Sequence, residues 1–477
     1  MGSVLVLQSS RPPVGEGVEV FFRPRGVAVV GASRVPGKVG YTVLRNLKSM
    51  YQGPVYPVNP RAREILGLPA YPSLLEVPDP VDLAVVAVPA RAVPRVVEEA
   101  GRRGLRGVVV LSAGFREVGP AGAELEKRLV ETARRYGLRL VGPNCIGVYS
   151  PSTGVNATFF DPERQGLPGP GPIAFISQSG ALGAAVLDWA EARGLGVSRF
   201  VSVGNKADVD EADLLAFLRR DPETRSIALY IEGVEDGRRL RRALEETTPV
   251  KPVVALKAGR SEAGARAAAS HTGSLAGSYQ VYQAVFRQTG VVPARSPEEM
   301  FDLALALALQ PPMRGDRVAV ITVGGGSGVM ASDELSELGL QVPELSERTQ
   351  ARLRRVLLPI ASPRNPVDVT GSAVDEHMVE SLRVVLESGE ADAVLLIPYF
   401  NLSGITGELP EKIAEVIREN PGIPVVASVT GGARAWSIAR RLEQVAGVPV
   451  YPSEARAARA LWALRVYGRW LERLGAG

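Results

Sequence analysis

The sequence predicts an α/β protein made of three consecutive doubly wound domains. Short apolar runs rich in β-branched residues recur along the chain. Each is followed by a glycine-containing turn and an amphipathic segment, the alternation expected of parallel sheets covered by helices on both faces. The runs fall into three groups separated by proline- and glycine-rich stretches, and 477 residues leave room for two to four domains.

After an N-terminal extension (residues 1–19), the first domain is expected over 20–153. Its predicted strands are Val27–Val30, Val55–Val58, Leu83–Val88, Gly107–Leu111 and Leu138–Val141, with helical segments such as Ala90–Arg103 and Gly119–Tyr136 between them. The second is expected over 154–312, with strands Ile173–Ile176, Phe200–Val203, Ile227–Ile231, Val253–Leu256 and Val291–Pro293, and the Pro- and Gly-rich Pro162–Pro172 reads as the linker before them. The third, over 313–477, begins after Gln310-Pro311-Pro312-Met313-Arg314-Gly315-Asp316 and contributes Val318–Thr322, Val367–Thr370, Ala393–Ile397, Val425–Val429 and Val448–Tyr451.

Composition narrows the functional classes. Hydrophobic residues make up 45% and charged residues 22%, as in ordinary globular proteins. No apolar stretch approaches the roughly 20 residues needed to span a bilayer. The run Val4-Leu5-Val6-Leu7 has no basic region before it and does not read as a signal peptide. Cys145 is the only cysteine, which excludes an internal disulfide and fits a reducing, cytoplasmic setting. The net charge of +4 is spread along the chain, with no basic run interleaved with aromatics, which argues against a nucleic-acid partner.

Ligands of open α/β sheets sit beyond the carboxyl ends of the strands. In the first domain, Gly31-Ala32-Ser33-Arg34-Val35-Pro36-Gly37-Lys38 links a strand to a helix start. Backbone N–H groups there attract phosphate, and Ser33, Arg34 and Lys38 can meet the phosphates of a nucleotide-like ligand. The glycine spacing is not that of dinucleotide enzymes, and the second strand ends at Asn59 where such enzymes offer an acid to the ribose. NAD is therefore disfavoured, and coenzyme A fits. Val88-Pro89, Ser112 and Asn144 lie at later strand ends of the same sheet edge; a plain strand-to-helix turn remains the alternative.

Two further helix starts, Ser177-Gln178-Ser179-Gly180 and Gly324-Gly325-Gly326-Ser327-Gly328, pair small residues with free N–H groups and the positive end of a helix dipole. Facing one another, they would hold a phosphoryl group without a metal; otherwise each is a capped turn. Of the two histidines, His377 reads as a solvated residue in the first turn of a surface helix. His271 sits in Ser270-His271-Thr272-Gly273-Ser274, a small-residue loop that leaves its ring open to a phosphoryl donor. Glu232, at the end of its strand, is placed to accept from the other ring nitrogen of such a histidine, or else serves as a capping or solvent-facing acid.

Taken in order, these residues resemble the NDP-forming acyl-CoA synthetase superfamily, which includes succinyl-CoA synthetase, and in particular the α subunits of ADP-forming acetyl-CoA synthetases. Gly142-Pro143-Asn144-Cys145-Ile146-Gly147 is similar to that family's G-P-N-x-x-G. Ser177–Gly180 resembles its phosphate-site helix start, with Ser179 and Gly180 binding phosphate. Ile231-Glu232-Gly233 resembles its histidine-stabilising glutamate, and Ser270–Gly273 its phosphohistidine loop. The third domain resembles the carboxy-terminal domain of the succinyl-CoA synthetase β subunit, with Gly326, Ser327 and Gly328 in its second phosphate-site helix and Asn365-Pro366-Val367-Asp368 in place.

The resemblance implies a Rossmann-like CoA-binding domain followed by two flavodoxin-like ones. It also implies the reaction acyl-CoA + phosphate + ADP giving acid, CoA and ATP, through an acyl phosphate and then a phosphohistidine on His271. No third region is left to hold ADP and Mg²⁺, so an ATP-grasp β subunit, most simply in an α₂β₂ complex, is expected to carry them. Two competing readings are a serine thioesterase, although Ser177-Gln178-Ser179-Gly180 lacks the G-x-S-x-G elbow, and a CoA-sensing regulatory protein.

Overall fold

A computed structural model describes residues 12–266 and 278–475. The chain divides into two compact units, one reaching to Arg295 and the other beginning at Ser296. The first unit contains two sheets. In the first sheet, β1 (Val27–Val30) lies between β2 (Val55–Val58) and β5 (Leu83–Val86), followed by β6 (Gly107–Val110) and β7 (Arg139–Val141), all parallel. A small hairpin, β3 (Glu64–Ile65) and β4 (Leu68–Pro69), lies outside it. Strands β1, β5 and β6 are buried along their whole length, which is why they read as continuous β-branched runs and do not alternate. Helices α1 (Val39–Met50), α2 (Val93–Arg103) and α3 (Pro120–Arg135) cross over between strands.

The second sheet is larger than the sequence suggests. Five parallel strands, β10 (Pro170–Ser177), β11 (Val197–Ser202), β12 (Ser226–Ile231), β13 (Val253–Lys257) and β14 (Val292–Ala294), are joined by the antiparallel hairpin of β8 (Gly147–Ser150) and β9 (Val155–Thr158), in the order β14-β13-β12-β10-β11-β8-β9. The chain thus enters the second sheet before the expected linker, and β10 absorbs the linker's last residues. Gly147 explains the hairpin: with φ +117, its position places an added Cβ 2.1 Å from the carbonyl oxygen of Ala157, so only glycine lets the two strands close. Helices α4 (Gly180–Arg193), α5 (Glu211–Leu218) and α6 (Gly237–Thr247) flank this sheet. One continuous core, from Val27 and Val85 to Ile176, Leu229 and Val253, runs through both sheets.

Arg199 on β11 is a main polar tie in this core. It is 1% exposed. Its guanidinium donates to both carboxylate oxygens of Glu223 at 2.9 Å, to Asp221 at 3.3 Å and to the Ser152 hydroxyl at 3.0 Å, and it lies 5.8 Å from the Phe22 ring centroid.

The second unit has a five-stranded parallel sheet in the order β16-β15-β17-β18-β19, comprising β15 (Val318–Thr322), β16 (Val367–Asp368), β17 (Ala393–Ile397), β18 (Val425–Ser428) and β19 (Val450–Tyr451). The helix Pro297–Leu309 belongs to this unit. Asp302 accepts from Arg456 at 2.5 and 2.7 Å, and the Asp302 carbonyl accepts from the Tyr451 hydroxyl at 2.8 Å. Among the described residues no helix is long and apolar enough to cross a membrane.

The hydrogen bonds from Arg199 are the first cause that lowers the Glu223 pKa, from 4.5 to about 2. A depressed carboxylate stabilises the fold above its unfolded value and loses that contribution as pH falls toward its folded value. Glu223→Gln is therefore expected to lower stability at pH 7 by about 1–2 kcal/mol, allowing for the 31% exposure of the side chain. In urea titrations the gap from wild type should close as pH falls from 4.5 toward 2; a gap independent of pH would rule out this ion pair as its source.

Candidate functional site

Each of the three sheets reverses its winding once along its strand order, and predicted site residues lie beside each reversal. In the first sheet the chain passes from β1 to β2 on one side and returns to β5 on the other, leaving a crevice between the carboxyl ends of β1 and β5. Gly31, with φ +87, stands in it, and an added Cβ would lie 2.4 Å from the Ala87 carbonyl and 3.0 Å from the Val88 side chain. Ser33, Arg34 and Lys38 follow on the loop into α1, with Arg34 and Lys38 exposed. Asn59 braces this loop: its amide donates to the Ala32 carbonyl at 2.8 Å and accepts from Arg61 N–H at 2.8 Å. The Ser112 hydroxyl donates to the Val88 carbonyl at 2.5 Å, and Asn144 N–H donates to the Ser112 carbonyl at 2.9 Å. Pro89 precedes the turn into α2. The sequence-predicted residues therefore do share one edge, but the Asn59, Ser112 and Val88 groups named here are engaged with one another or with the loop, whereas Arg34 and Lys38 are exposed on it.

The second sheet reverses between β10 and β12, and here the side chain of Gln178 spans the gap. Its carbonyl accepts from the backbone N–H of Glu232 at 2.7 Å and of Gly233 at 3.0 Å, while its amide donates to the Gly233 carbonyl at 2.7 Å and to the Glu211 carboxylate. Glu211 is buried, and Lys206 donates to it at 2.9 Å and to the Gly233 carbonyl at 2.7 Å. Ser179 caps α4, its hydroxyl accepting from Leu182 N–H at 3.3 Å, which leaves Gly180 at the first turn. Glu232 is 6% exposed.

A cleft beside this turn is lined by Arg116, Glu117, Asn144, Gln178, Lys206 and Glu232 among others. Two carboxylates at its edge share one donor: the Asn205 amide donates to Glu117 at 2.7 Å and to Glu126 at 2.8 Å. Burial raises the Glu126 pKa. For Glu117 burial acts in the same direction, but Asn205 and the N–H groups of Gly114 and Phe115 outweigh it, and its pKa is lowered. Arg116 bonds to Glu235 and to the Asn205 carbonyl. The Gly142-Pro143-Asn144 segment seats this corner. Asn205 N–H donates to the Pro143 carbonyl at 2.9 Å, Ala207 N–H to the Gly142 carbonyl at 3.0 Å, and the Asn144 amide to the Asn205 side chain at 3.3 Å.

In the second unit the reversal falls between β15 and β17. The helix Gly325–Glu337 begins there. Gly326 is exposed and open, whereas Ser327 bonds to the Tyr399 hydroxyl and Gly328 packs on Thr322 and Pro366. His271 lies outside the described residues. His377 is half-buried, and its Nδ1 accepts from Val374 N–H at 3.1 Å, so it caps the helix Asp375–Ser388. Sequence reading missed Lys206, Glu211, Asn205, Glu117 and Lys257. A lysine ending the apolar run Val253–Leu256, and the Gly204-Asn205-Lys206 turn just past β11, were the signals available.

Three family models match the chain: "CoA binding domain" over residues 25–151, "Succinyl-CoA ligase like flavodoxin domain" over 170–307 and "Ligase-CoA domain" over 318–472. The chain is 44% identical over 452 residues to the α subunit of acetate–CoA ligase [ADP-forming] II from Pyrococcus furiosus, covering 94% of this chain and 97% of that protein. It is also 44% identical to acetate–CoA ligase [ADP-forming] I from Archaeoglobus fulgidus, of which it covers 64%. A solved structure of the dinucleotide-forming acetyl-coenzyme A synthetase 1 from Ca. Korarchaeum cryptofilum, in complex with phosphate and ADP, superposes with a TM-score of 0.87 at 38% identity, covering 96% of this chain and 98% of that one.

Gln178→Leu removes the acceptor of two backbone N–H groups and is expected to destabilise the first unit by about 2–4 kcal/mol. Urea unfolding followed by tryptophan fluorescence checks this, and a change below about 0.5 kcal/mol would mean that the turn after β12 is held by other contacts.

Proposed function

The chain belongs to the α-subunit family of the ADP-forming acetate–CoA ligases, and we propose that it converts acyl-CoA, phosphate and ADP to carboxylic acid, CoA and ATP through an acyl phosphate and a phosphohistidine on His271. The observation that carries this reading is the Gln178 bridge. It sets the start of α4 and Glu232 side by side at the winding reversal of the second sheet.

Phosphate oxygen attacks the thioester carbonyl, and the C–S bond breaks to release the CoA thiolate. The N–H groups at Ser179 and Gly180 face the anion at the positive end of α4. His271 then attacks phosphorus, and the carboxylate leaves as the free acid. Glu232 accepts from the other ring nitrogen, fixing the tautomer and stabilising the cationic imidazole. CoA is held by its phosphates at Arg34 and Lys38, over the backbone at Gly31, Ser33, Val88, Pro89, Ser112 and Asn144, with Asn59 shaping the loop. Gly326, Ser327 and Gly328 form the second phosphate site. Transfer to ADP would draw on a divalent cation to offset the diphosphate charge. We assign ADP and Mg²⁺ to an ATP-grasp β subunit in an α₂β₂ complex working in the cytoplasm. The α-subunit name of the Pyrococcus furiosus relative supports a partner.

Purified chain incubated with acetyl-CoA and labelled phosphate is expected to acquire acid-labile, base-stable label that His271→Ala abolishes and His377→Ala retains. Label that survives in His271→Ala would sink the assignment, and thioester hydrolysis without phosphate would favour a thioesterase. Glu232→Gln is expected to slow labelling by about 10²–10⁴-fold with CoA affinity nearly unchanged. Calorimetry should show CoA binding and no NAD response. ATP should form only after an ATP-grasp subunit is added; steady ATP formation by the chain alone would place the nucleotide site here instead.

A further inference from the structure

The turn after β11 touches both halves of the site, and no step above uses it. Gly204 brings it against the Gly142-Pro143-Asn144 segment: at φ +54, an added Cβ would lie 2.3 Å from the Pro143 carbonyl oxygen and 2.5 Å from that of Asn144. Lys206 follows at φ +56. A non-glycine residue in this region is strained, and such strain persists only where the surroundings over-determine it. Here the side chains of adjacent residues, Asn205 and Lys206, are hydrogen-bonded to different sheet edges.

Asn205, 7% exposed, holds the side assigned to coenzyme A. Its amide donates to Glu117 at 2.7 Å and to Glu126 at 2.8 Å. Glu117 in turn accepts from the Gly114 and Phe115 N–H groups at 2.5 and 3.1 Å, which fixes the loop that begins at Ser112. The Asn205 carbonyl accepts from Arg116, and its backbone N–H donates to the Pro143 carbonyl at 2.9 Å. Lys206, its side chain 9% exposed, holds the phosphate side. Its ammonium donates to the Glu211 carboxylate at 2.9 Å and to the Gly233 carbonyl at 2.7 Å. The Gln178 amide donates to these same acceptors, and the next residue, Ser179, caps α4.

We infer that Asn205 and Lys206 are positioning residues: together they set the spacing between the sheet edge that carries the thioester and the helix start that carries phosphate. The inference rests on the coenzyme A and phosphate assignments proposed above. Attack of phosphate on the thioester needs reacting atoms about 3–3.5 Å apart, and a misplacement of about 1 Å can cost about 10²-fold in rate. The two arms lie in series along one turn, so cutting either one releases the spacing.

The test is single-turnover release of CoA from limiting acetyl-CoA by excess full chain at saturating phosphate, followed by rapid quench. Asn205→Ala and Lys206→Met are each expected to lower the rate constant at saturation by about 10–100-fold. The affinity for CoA and the half-saturating phosphate concentration should stay within about threefold of wild type. A smaller folded fraction would reduce the amount of active protein and leave the rate constant at saturation unmoved. The double variant should be no more than about twofold slower than the slower single, because both cuts release the same spacing. Wild-type rate constants in both singles, a loss confined to CoA or phosphate affinity, or fully multiplicative losses in the double variant would overturn the inference and leave the proposed reaction intact. A wild-type chain that releases CoA no faster with phosphate than without it would remove that reading, and this inference with it. If Lys206→Met fails to fold, Asn205→Ala decides alone: a slowed rate constant with CoA affinity retained upholds the inference, and a wild-type rate constant overturns it.

Discussion

The arrangement at the second sheet depends on one amide. Parallel sheets diverge where their winding reverses, because the chain leaves the two neighbouring strands in opposite directions. Between β10 and β12 that divergence opens the space a ligand can enter, and it also strips the residues after β12 of ladder partners. Gln178 meets both needs: it follows β10, reaches across the gap and satisfies two N–H groups and a carbonyl of the Glu232-Gly233 turn. Lys206 and the buried Glu211 complete the same knot from the β11 side. With the turn so fixed, the start of α4, the Glu232 side chain and the end of β13 keep constant relative positions.

Electrostatics around this knot follow a consistent pattern. The buried carboxylates named here are matched by a cation or an amide within hydrogen-bonding reach, Glu211 by Lys206, Glu126 by Asn205 and Asp221 by Arg199, which also holds the half-buried Glu223. At the end of β13 the buried Lys257 ammonium donates to the backbone carbonyl of Glu232 at 2.9 Å. Taking a charge out of water without a partner is costly, and these hydrogen bonds offset that cost in a crowded polar corner. Glu117 and Glu126 share one donor, yet their pKa values move in opposite directions, because Glu117 alone collects two backbone N–H groups.

Most of the fold was legible because buried parallel strands write themselves as unbroken apolar runs. Val27–Val30, Gly107–Val110 and Ala393–Ile397 begin where the pattern places them. The strand Gly147–Ser150 was not legible, because a hairpin at a sheet edge has too few residues to show a period and its pairing partner lies some fifty residues later. The family-bearing motifs stood out for a related reason: Ser179, Gly180 and Gly31 sit where backbone geometry restricts the choice of residue. Lys206, Asn205 and Lys257 escaped notice because their importance lies in partners far along the chain, and a lone lysine or asparagine carries no spacing that reveals a partner. The Ser112 hydroxyl, at the end of its strand, is committed to the Val88 carbonyl, which sequence pattern cannot express.

The hairpin β8–β9 also governs how divisible the first unit is. Its strands follow directly on the first sheet but pair with β11 of the second, so the covalent boundary and the hydrogen-bonded boundary do not coincide. A chain severed in the proline-rich stretch after β9 would leave the second half with β11 as a bare edge, its N–H and C=O groups open to any passing strand. Severed ahead of Gly147, it would keep that edge covered. During synthesis the same mismatch makes the hairpin wait. Its two strands leave the ribosome with the first sheet and remain unpaired on one side until β11 follows, which ties the closure of the second sheet to a segment made well before it.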